Sequence, residues 1–88
     1  MIFMLCRHRV ADFVRWHKVF ESHAEAQREA GLHVLYLLHD TIDYNHITYL
    51  FRVDDVDKAK AFTQAPVASE AVQESGIIGP FEMLYLTD

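Results

Sequence analysis

Three consecutive runs decide the architecture: Leu32-His-Val-Leu-Tyr-Leu-Leu-His39, then Asp40-Thr-Ile-Asp-Tyr-Asn45, then His46-Ile-Thr-Tyr-Leu-Phe-Arg-Val53. The first is almost wholly apolar, the second holds turn formers, and the third alternates Thr and Arg with Ile, Tyr, Phe and Val. β-Branched and aromatic residues suit a pleated surface, and Asp and Asn suit the turn, so the three read as strand, loop and strand.

Helical spacing flanks this pair on both sides. Phe13, Trp16, Phe20, Ala24 and Gln27 recur every three or four residues, with Arg15, Lys18, Ser22, Glu25 and Glu29 opposite them, which predicts a helix with one apolar stripe. Asp12 can cap its first turn, and Gly31 can close it by adopting positive φ. Downstream, Asp54 and Asp55 can cap a shorter helix in which Val56, Ala59 and Phe62 keep roughly helical spacing. Pro66 lacks the amide that a helix interior requires and suits the start of a new short helix, with Val67, Ala71 and Val72 on its apolar face and Gly76 at its end. The crowded apolar run Ile2 to Val10 predicts a first strand, Gly79 and Pro80 a turn, and Phe81 to Leu86 a last strand. The predicted order is β, α, β, β, α, β, a split βαβ pair in a single domain over residues 1–88.

Composition narrows the classes of function. A formal charge of −5, with scattered Lys and Arg, argues against a nucleic-acid partner. Cys6 is the only cysteine, so no internal disulfide can form, and a reducing cytoplasmic location is expected. The apolar run at Met1 to Cys6 is too short for a secretory signal, and no segment approaches the length of a membrane span.

Four strands with both helices on one side leave the other side of the sheet without cover. Neither parity of the strands reads as polar: Val34, Tyr36 and Leu38 oppose Leu35 and Leu37, Tyr49 and Phe51 oppose Leu50, and Met83 and Tyr85 oppose Leu84 and Leu86. A homodimer that packs sheet face against sheet face would cover the surplus for both copies at once.

On these residues the chain resembles a known superfamily. The run Val10-Ala-Asp-Phe-Val-Arg-Trp16, followed by Phe20, His23, Arg28 and Gly31, is similar to the dimeric α/β-barrel superfamily with its antibiotic biosynthesis monooxygenase-like proteins. So are Asp54-Asp55, Ala61-Phe62, Pro66 and Gly76-Ile-Ile-Gly-Pro80 in the second half. The resemblance implies a ferredoxin-like βαββαβ fold of class α+β, a four-stranded antiparallel sheet with helices on one face, and a dimeric barrel with a small apolar cavity under each sheet. Its members include cofactor-free oxygenases, haem-degrading enzymes, dehydratases, isomerases and proteins with no known reaction, so fold alone does not select an activity. Haem-degrading relatives carry a ligating His in a helix whose counterpart here, Val67 to Ser75, has none, and Val53 stands where the oxygenases often carry Trp.

The candidate chemistry rests on few residues. Six histidines invite a metal, yet no His-x-x-x-His pair occurs and no Cys or carboxylate completes a set, so neither a metal nor another cofactor is expected. His33 and His39 share strand parity, and His39 can approach His46 across the loop. His17 and His23 edge the first helix's stripe, where packing explains them. His8, between Arg7 and Arg9 in the first strand, is the candidate catalytic residue: facing the cavity it would act as general base, and otherwise it is a satisfied strand histidine. If the other parity faces the cavity, Arg7 and Arg9 would hold an acid or an oxyanion. Tyr36, Tyr49, Phe51 and Tyr85 either line a ligand site and stack on a flat molecule or fill the dimer core. Cys6 has no partner base and reads as a small buried hydrophobe.

The resemblance implies a small-molecule-binding homodimer acting as a cofactor-independent monooxygenase or isomerase on a small aromatic substrate, with His8 and Tyr49 as the groups to test. The alternative is a non-catalytic structural or ligand-sensing homodimer, and a filled or an empty cavity separates the two.

Overall fold

The structure is a computed structural model in which residues 1–65, 73 and 75–88 are described. Four strands, β1 (Ile2–Val10), β2 (Leu32–His39), β3 (His46–Val53) and β4 (Ile77–Thr87), form one antiparallel sheet in the order β2-β3-β1-β4. Helices α1 (Phe13–Ser22), α2 (Ala24–Glu29) and α3 (Val56–Gln64) complete the described elements, giving the ferredoxin-like α+β arrangement. The short helix read after Pro66 lies outside the described residues.

Strand alternation sorts the side chains. Met4, Cys6, His8 and Val10 of β1, with Ile47, Tyr49, Phe51 and Val53 of β3, are buried together with Trp16 of α1, Leu32 of β2 and Ala59 of α3. Trp16 stacks on Phe20 at 4.7 Å between ring centroids, and Phe20 meets Tyr49 edge-on at 5.3 Å. This is the helix face of the sheet and the main core. Both caps lie where the sequence places them: Asp12 Oδ1 accepts from the Val14 amide at 3.0 Å, and Asp55 Oδ1 accepts from those of Asp57 and Lys58 at 2.9 and 3.3 Å. Gly31 turns the chain into β2 with φ of 77°, and a Cβ there would lie 3.1 Å from that of Asp54, so a side chain would meet both strain and crowding.

The structure corrects four local readings. The first helix is not continuous to Ala30. It stops at Ser22 and restarts after His23, whose φ and ψ of −102° and 8° are not helical. The Ser22 hydroxyl donates to the Val19 carbonyl at 2.6 Å, a local bond that competes with the helical ladder. In β2 the register with β3 passes from Val34↔Phe51 to Tyr36↔Leu50, so Leu35 is an extra, bulged residue. His33 and His39 therefore do not share a face. His33 pairs with Arg52 on the open side, while His39 pairs with Ile47 on the helix side and lies across the sheet from His46.

Gly79 and Pro80 are not a turn before the last strand but a bulge inside it: β1 pairs with Glu82 at Arg7 and with Ile78 at Arg9. A bulge spares Pro80 the ladder bond it cannot donate. Finally, the open face is not uniformly apolar. Tyr36, Leu50, Leu5 and Leu84 form a row across all four strands beside Phe3 and Leu86, but Arg7, Arg9, His33, His46, Thr48, Arg52 and Glu82 share that face. Among the described residues no helix is long and apolar enough to cross a membrane.

Candidate functional site

A cavity of about 140 Å³ opens between the helix face of the sheet and the helices. Its walls include Trp16 and Phe20 of α1, Leu32 of β2, Phe51 of β3, Phe62 of α3 and Phe81 of β4. Its polar groups among the described residues are Cys6, His23, Gln27, Tyr49, Thr63 and Ser75, with no Lys, Arg, Asp or Glu. An apolar cavity near 150 Å³ is known to hold one benzene-sized molecule. A charged ligand would find no counter-charge here, so the site suits an uncharged one.

Behind this wall lies a buried hydrogen-bond chain. The central position of β1 puts His8 deep in the helix face, 1% exposed, where its Nε2 stands 3.0 Å from the Tyr49 hydroxyl and its Nδ1 3.3 Å from the Arg9 carbonyl. A carbonyl can only accept, so Nδ1 carries the proton and Nε2 accepts from the Tyr49 O–H. The Cys6 thiol is buried beside this pair, opposite Tyr49 in the β1–β3 ladder.

Burial favours the neutral form of each group in this chain. His8 is held below its ordinary 6.5, chiefly by desolvation; the bond to the Arg9 carbonyl opposes the shift and the nearby His46 adds to it. Desolvation, reinforced by Cys6, raises Tyr49 well above 10 and pushes the Cys6 thiol up to about 12. At neutral pH the chain is thus an uncharged thiol, phenol and imidazole, with an unprotonated Nε2 as its one basic atom.

The residues singled out in the sequence divide between two places. His8 and Tyr49 meet, and Tyr49 and Phe51 line the cavity. Tyr85 lies on the same face opposite Met4 but beyond the cavity lining, under the Lys60 ammonium at 5.6 Å, with its hydroxyl buried and without a hydrogen-bond partner among the described residues. Tyr36, Arg7 and Arg9 stand on the open face. Tyr36 is 61% exposed, Arg7 reaches Asp40 at 3.5 Å and Thr48 at 3.3 Å, and Arg9 reaches Asp43 at 3.6 Å. Both arginines border a second cleft with His46 and Glu82. His8 and the two arginines therefore face opposite ways, as alternation along one strand requires. Among the described residues no three His, Cys, Asp or Glu side chains converge as a metal site would need.

Phe81 and Gln27 are part of the site and were not singled out. Gln27, a buried amide on an otherwise apolar stripe, was visible as an irregularity in that pattern. Phe81 looked like the first residue of a strand, and only the bulge brings it over His8.

Comparison with solved structures gives the fold a context. A provisionally named antibiotic biosynthesis monooxygenase from Bordetella bronchiseptica matches with a TM-score of 0.78 at 14% identity, over 99% of this chain and 95% of that one. One of the same provisional name from Caulobacter crescentus matches at 0.77 and 20% identity, over 97% and 86%. An uncharacterized NIPSNAP domain protein from Burkholderia xenovorans matches at 0.70 and 9% identity, over 100% and 94%. No protein-family model and no curated protein matches the sequence. The chain has the ferredoxin-like fold of the antibiotic biosynthesis monooxygenase-like proteins, and at these identities the likeness is one of fold.

Proposed function

We propose that the chain is a homodimer that binds a compact, flat, uncharged molecule in this cavity, and that His8, acting through Tyr49, takes a proton from it in a cofactor-independent oxygenation or isomerisation. One observation carries the reading: Tyr49 is at once a wall of the cavity and the hydrogen-bond partner of a buried, neutral histidine. Aromatic walls favour a ring, and the cavity size favours a single one.

Tyr49 is far too weak an acid to exist as the phenolate, so its role is relay rather than base. A proton leaving an acidic O–H or C–H of the ligand reaches the Tyr49 oxygen as the Tyr49 proton moves to His8 Nε2. An imidazolium alone at this depth would be costly, but it forms only together with the ligand anion, which compensates it. In an isomerase the proton returns to another atom of the ligand. In an oxygenase the anion reduces dioxygen, a CH₂ becoming C=O with loss of water, so the substrate itself supplies the electrons. The name monooxygenase, shared by several structural neighbours, supports the second course.

The dimer is supported by the row Tyr36, Leu50, Leu5 and Leu84 on the open face. Apolar surface covered there would contribute about 25 cal/mol per Å². A second reading, a ligand-sensing homodimer without chemistry, is favoured by the fact that His8 does not itself line the cavity. A purely structural dimer is not favoured, because close packing would fill such a space.

Trp16 is the only tryptophan and lines the cavity, so its fluorescence reports binding. Titration with uncharged monocyclic phenols should quench it, and those that bind should be consumed, with oxygen uptake in the oxygenase case. His8→Ala should abolish turnover while the protein still sediments as a dimer. Full activity in that variant rejects the role of His8, and binding without turnover of any tested phenol by the unaltered protein selects the sensor.

A further inference from the structure

We infer that Phe81 is the partition between the cavity and His8, and that its displacement admits the bound molecule to the base. The inference deepens the proposed function and rests on it for the identity of the base. Phe81 belongs to the cavity wall, whereas His8 does not. Its ring lies flat on the imidazole, with centroids 4.9 Å apart and planes 14° from parallel. A residue of the cavity wall thus stacks over His8.

Two further rings close the imidazole edge-on: Trp16 at 5.6 Å and Tyr49 at 5.5 Å. Both are core residues, 2% and 6% exposed, and neither can leave without dismantling the packing around Phe20 and Phe51. Phe81 is different in each respect. It is 39% exposed and sits on an edge strand, in the bulge where the β1 register jumps from Glu82 to Ile78. Gly79, two residues before it, has φ of 74° and no atom within 4 Å of where a Cβ would stand. Few ladder bonds and open surroundings are the features of segments that open locally at low cost. Of the three rings around His8, Phe81 is the one that can move while the fold stays intact. Its outward rotation joins the imidazole to the cavity that Tyr49 already lines. Its return restores the dry, shielded histidine.

Diethyl pyrocarbonate acylates accessible neutral imidazoles, and mass spectrometry resolves the product by residue, so it reads the state of this partition in the whole chain. In the unaltered protein His8 should react at least about tenfold more slowly than the half-exposed His17, yet about tenfold faster than global unfolding, gauged by exchange of the buried Ile47 amide, would allow. Phe81→Ala should raise the His8 rate by about tenfold or more, and Phe81→Leu, which keeps more cover, by less. Ile78→Ala, on the opposite face of the same bulge, should leave it unchanged.

A His8 rate indifferent to Phe81→Ala, or one that in the unaltered protein merely follows global unfolding, overturns the inference. Phenol separates it from the reading beneath it. If phenol quenches Trp16 while Phe81→Ala leaves His8 unreactive, the cavity binds and the partition is wrong. If Phe81→Ala opens His8 but no phenol quenches Trp16, the partition stands and the ligand reading falls.

Discussion

The two faces of the sheet are made from the same strands and obey opposite rules. On the helix side, Met4, Cys6, His8 and Val10 of β1 are each at most 2% exposed. On the other side of that strand, Phe3, Leu5 and Arg7 are only partly buried and Arg9 is exposed. A face covered by its own helices favours polar side chains whose hydrogen-bonding atoms are satisfied: His8 has a partner on each ring nitrogen, and the Tyr85 hydroxyl is the exception among the described residues. A face open to water can carry arginines freely, and its apolar row is left half-buried or exposed in the single chain. The contrast explains why candidate chemistry gathers on one side and candidate association on the other.

The contrast breaks most severely at Trp16. It is 2% exposed and touches His8, Phe13, Phe20 and Tyr49. Trp16→Ala leaves a void in the helix face and should cost about 3–5 kcal/mol in denaturant unfolding. A loss below about 1 kcal/mol would mean that this side is not a tightly packed core.

Leu84→Asp tests the other face. Leu84 is half exposed and adjoins Leu5 in the apolar row, so the substitution costs the single chain little but places a carboxylate where a second copy would pack. Sedimentation should show the dimer weakened by well over tenfold, about 1.4 kcal/mol or more. An unchanged dimer would remove this face from the interface.

The pH dependence of stability sharpens the difference in a third way. The folded-state value of His8 lies below its unfolded 6.5. Between those two values the unfolded chain binds more protons, so the contribution of His8 is fully present above about 6.5 and is lost as pH falls through the folded value. Urea midpoints should therefore drop between about pH 7.5 and pH 5, and His8→Gln should flatten that slope. A slope unchanged by the substitution would remove His8 as its source.

Much of this pattern is legible in the chain, and the rest is not for identifiable reasons. Asp12 and Asp55 announce their helices because a cap is a local bond. The order of elements along the chain follows from apolar runs and the turn formers between them. The Leu35 bulge is hidden because Val34, Leu35, Tyr36, Leu37 and Leu38 are apolar at every position, so no period of two fixes the register. Two aromatic residues grouped in the sequence, Tyr36 and Tyr49, consequently end on opposite faces. Gly79-Pro80 resembles a turn because both residues are turn formers, and only the ladder with β1 shows that the strand runs through them. The bond between His8 and Tyr49 joins residues 41 apart. Sequence can nominate both, but their meeting depends on how β1 registers with β3.

The smallest expected effect belongs to a histidine on the open face. His33 Nε2 lies 2.7 Å from Asp54 Oδ2, with Arg52 Nε 3.6 Å from Oδ1, all at the sheet end where water reaches them. The hydrogen bond from His33 is the main cause that holds the Asp54 carboxyl below its ordinary 3.8; desolvation opposes it, and the charges of His33, Arg52 and Lys58 help. Its contribution is present above pH 3.8 and is lost as pH falls through the folded-state value, a window well below that of His8. Exposed pairs of this kind add little to stability. His33→Ala should therefore raise the Asp54 titration midpoint, read by carboxyl NMR, while shifting the unfolding midpoint less than any substitution above and leaving the His8 titration where it was. A concerted shift of Asp54 and His8 would show that the two faces are electrostatically coupled through the sheet, and the division of chemistry from association would have to be redrawn.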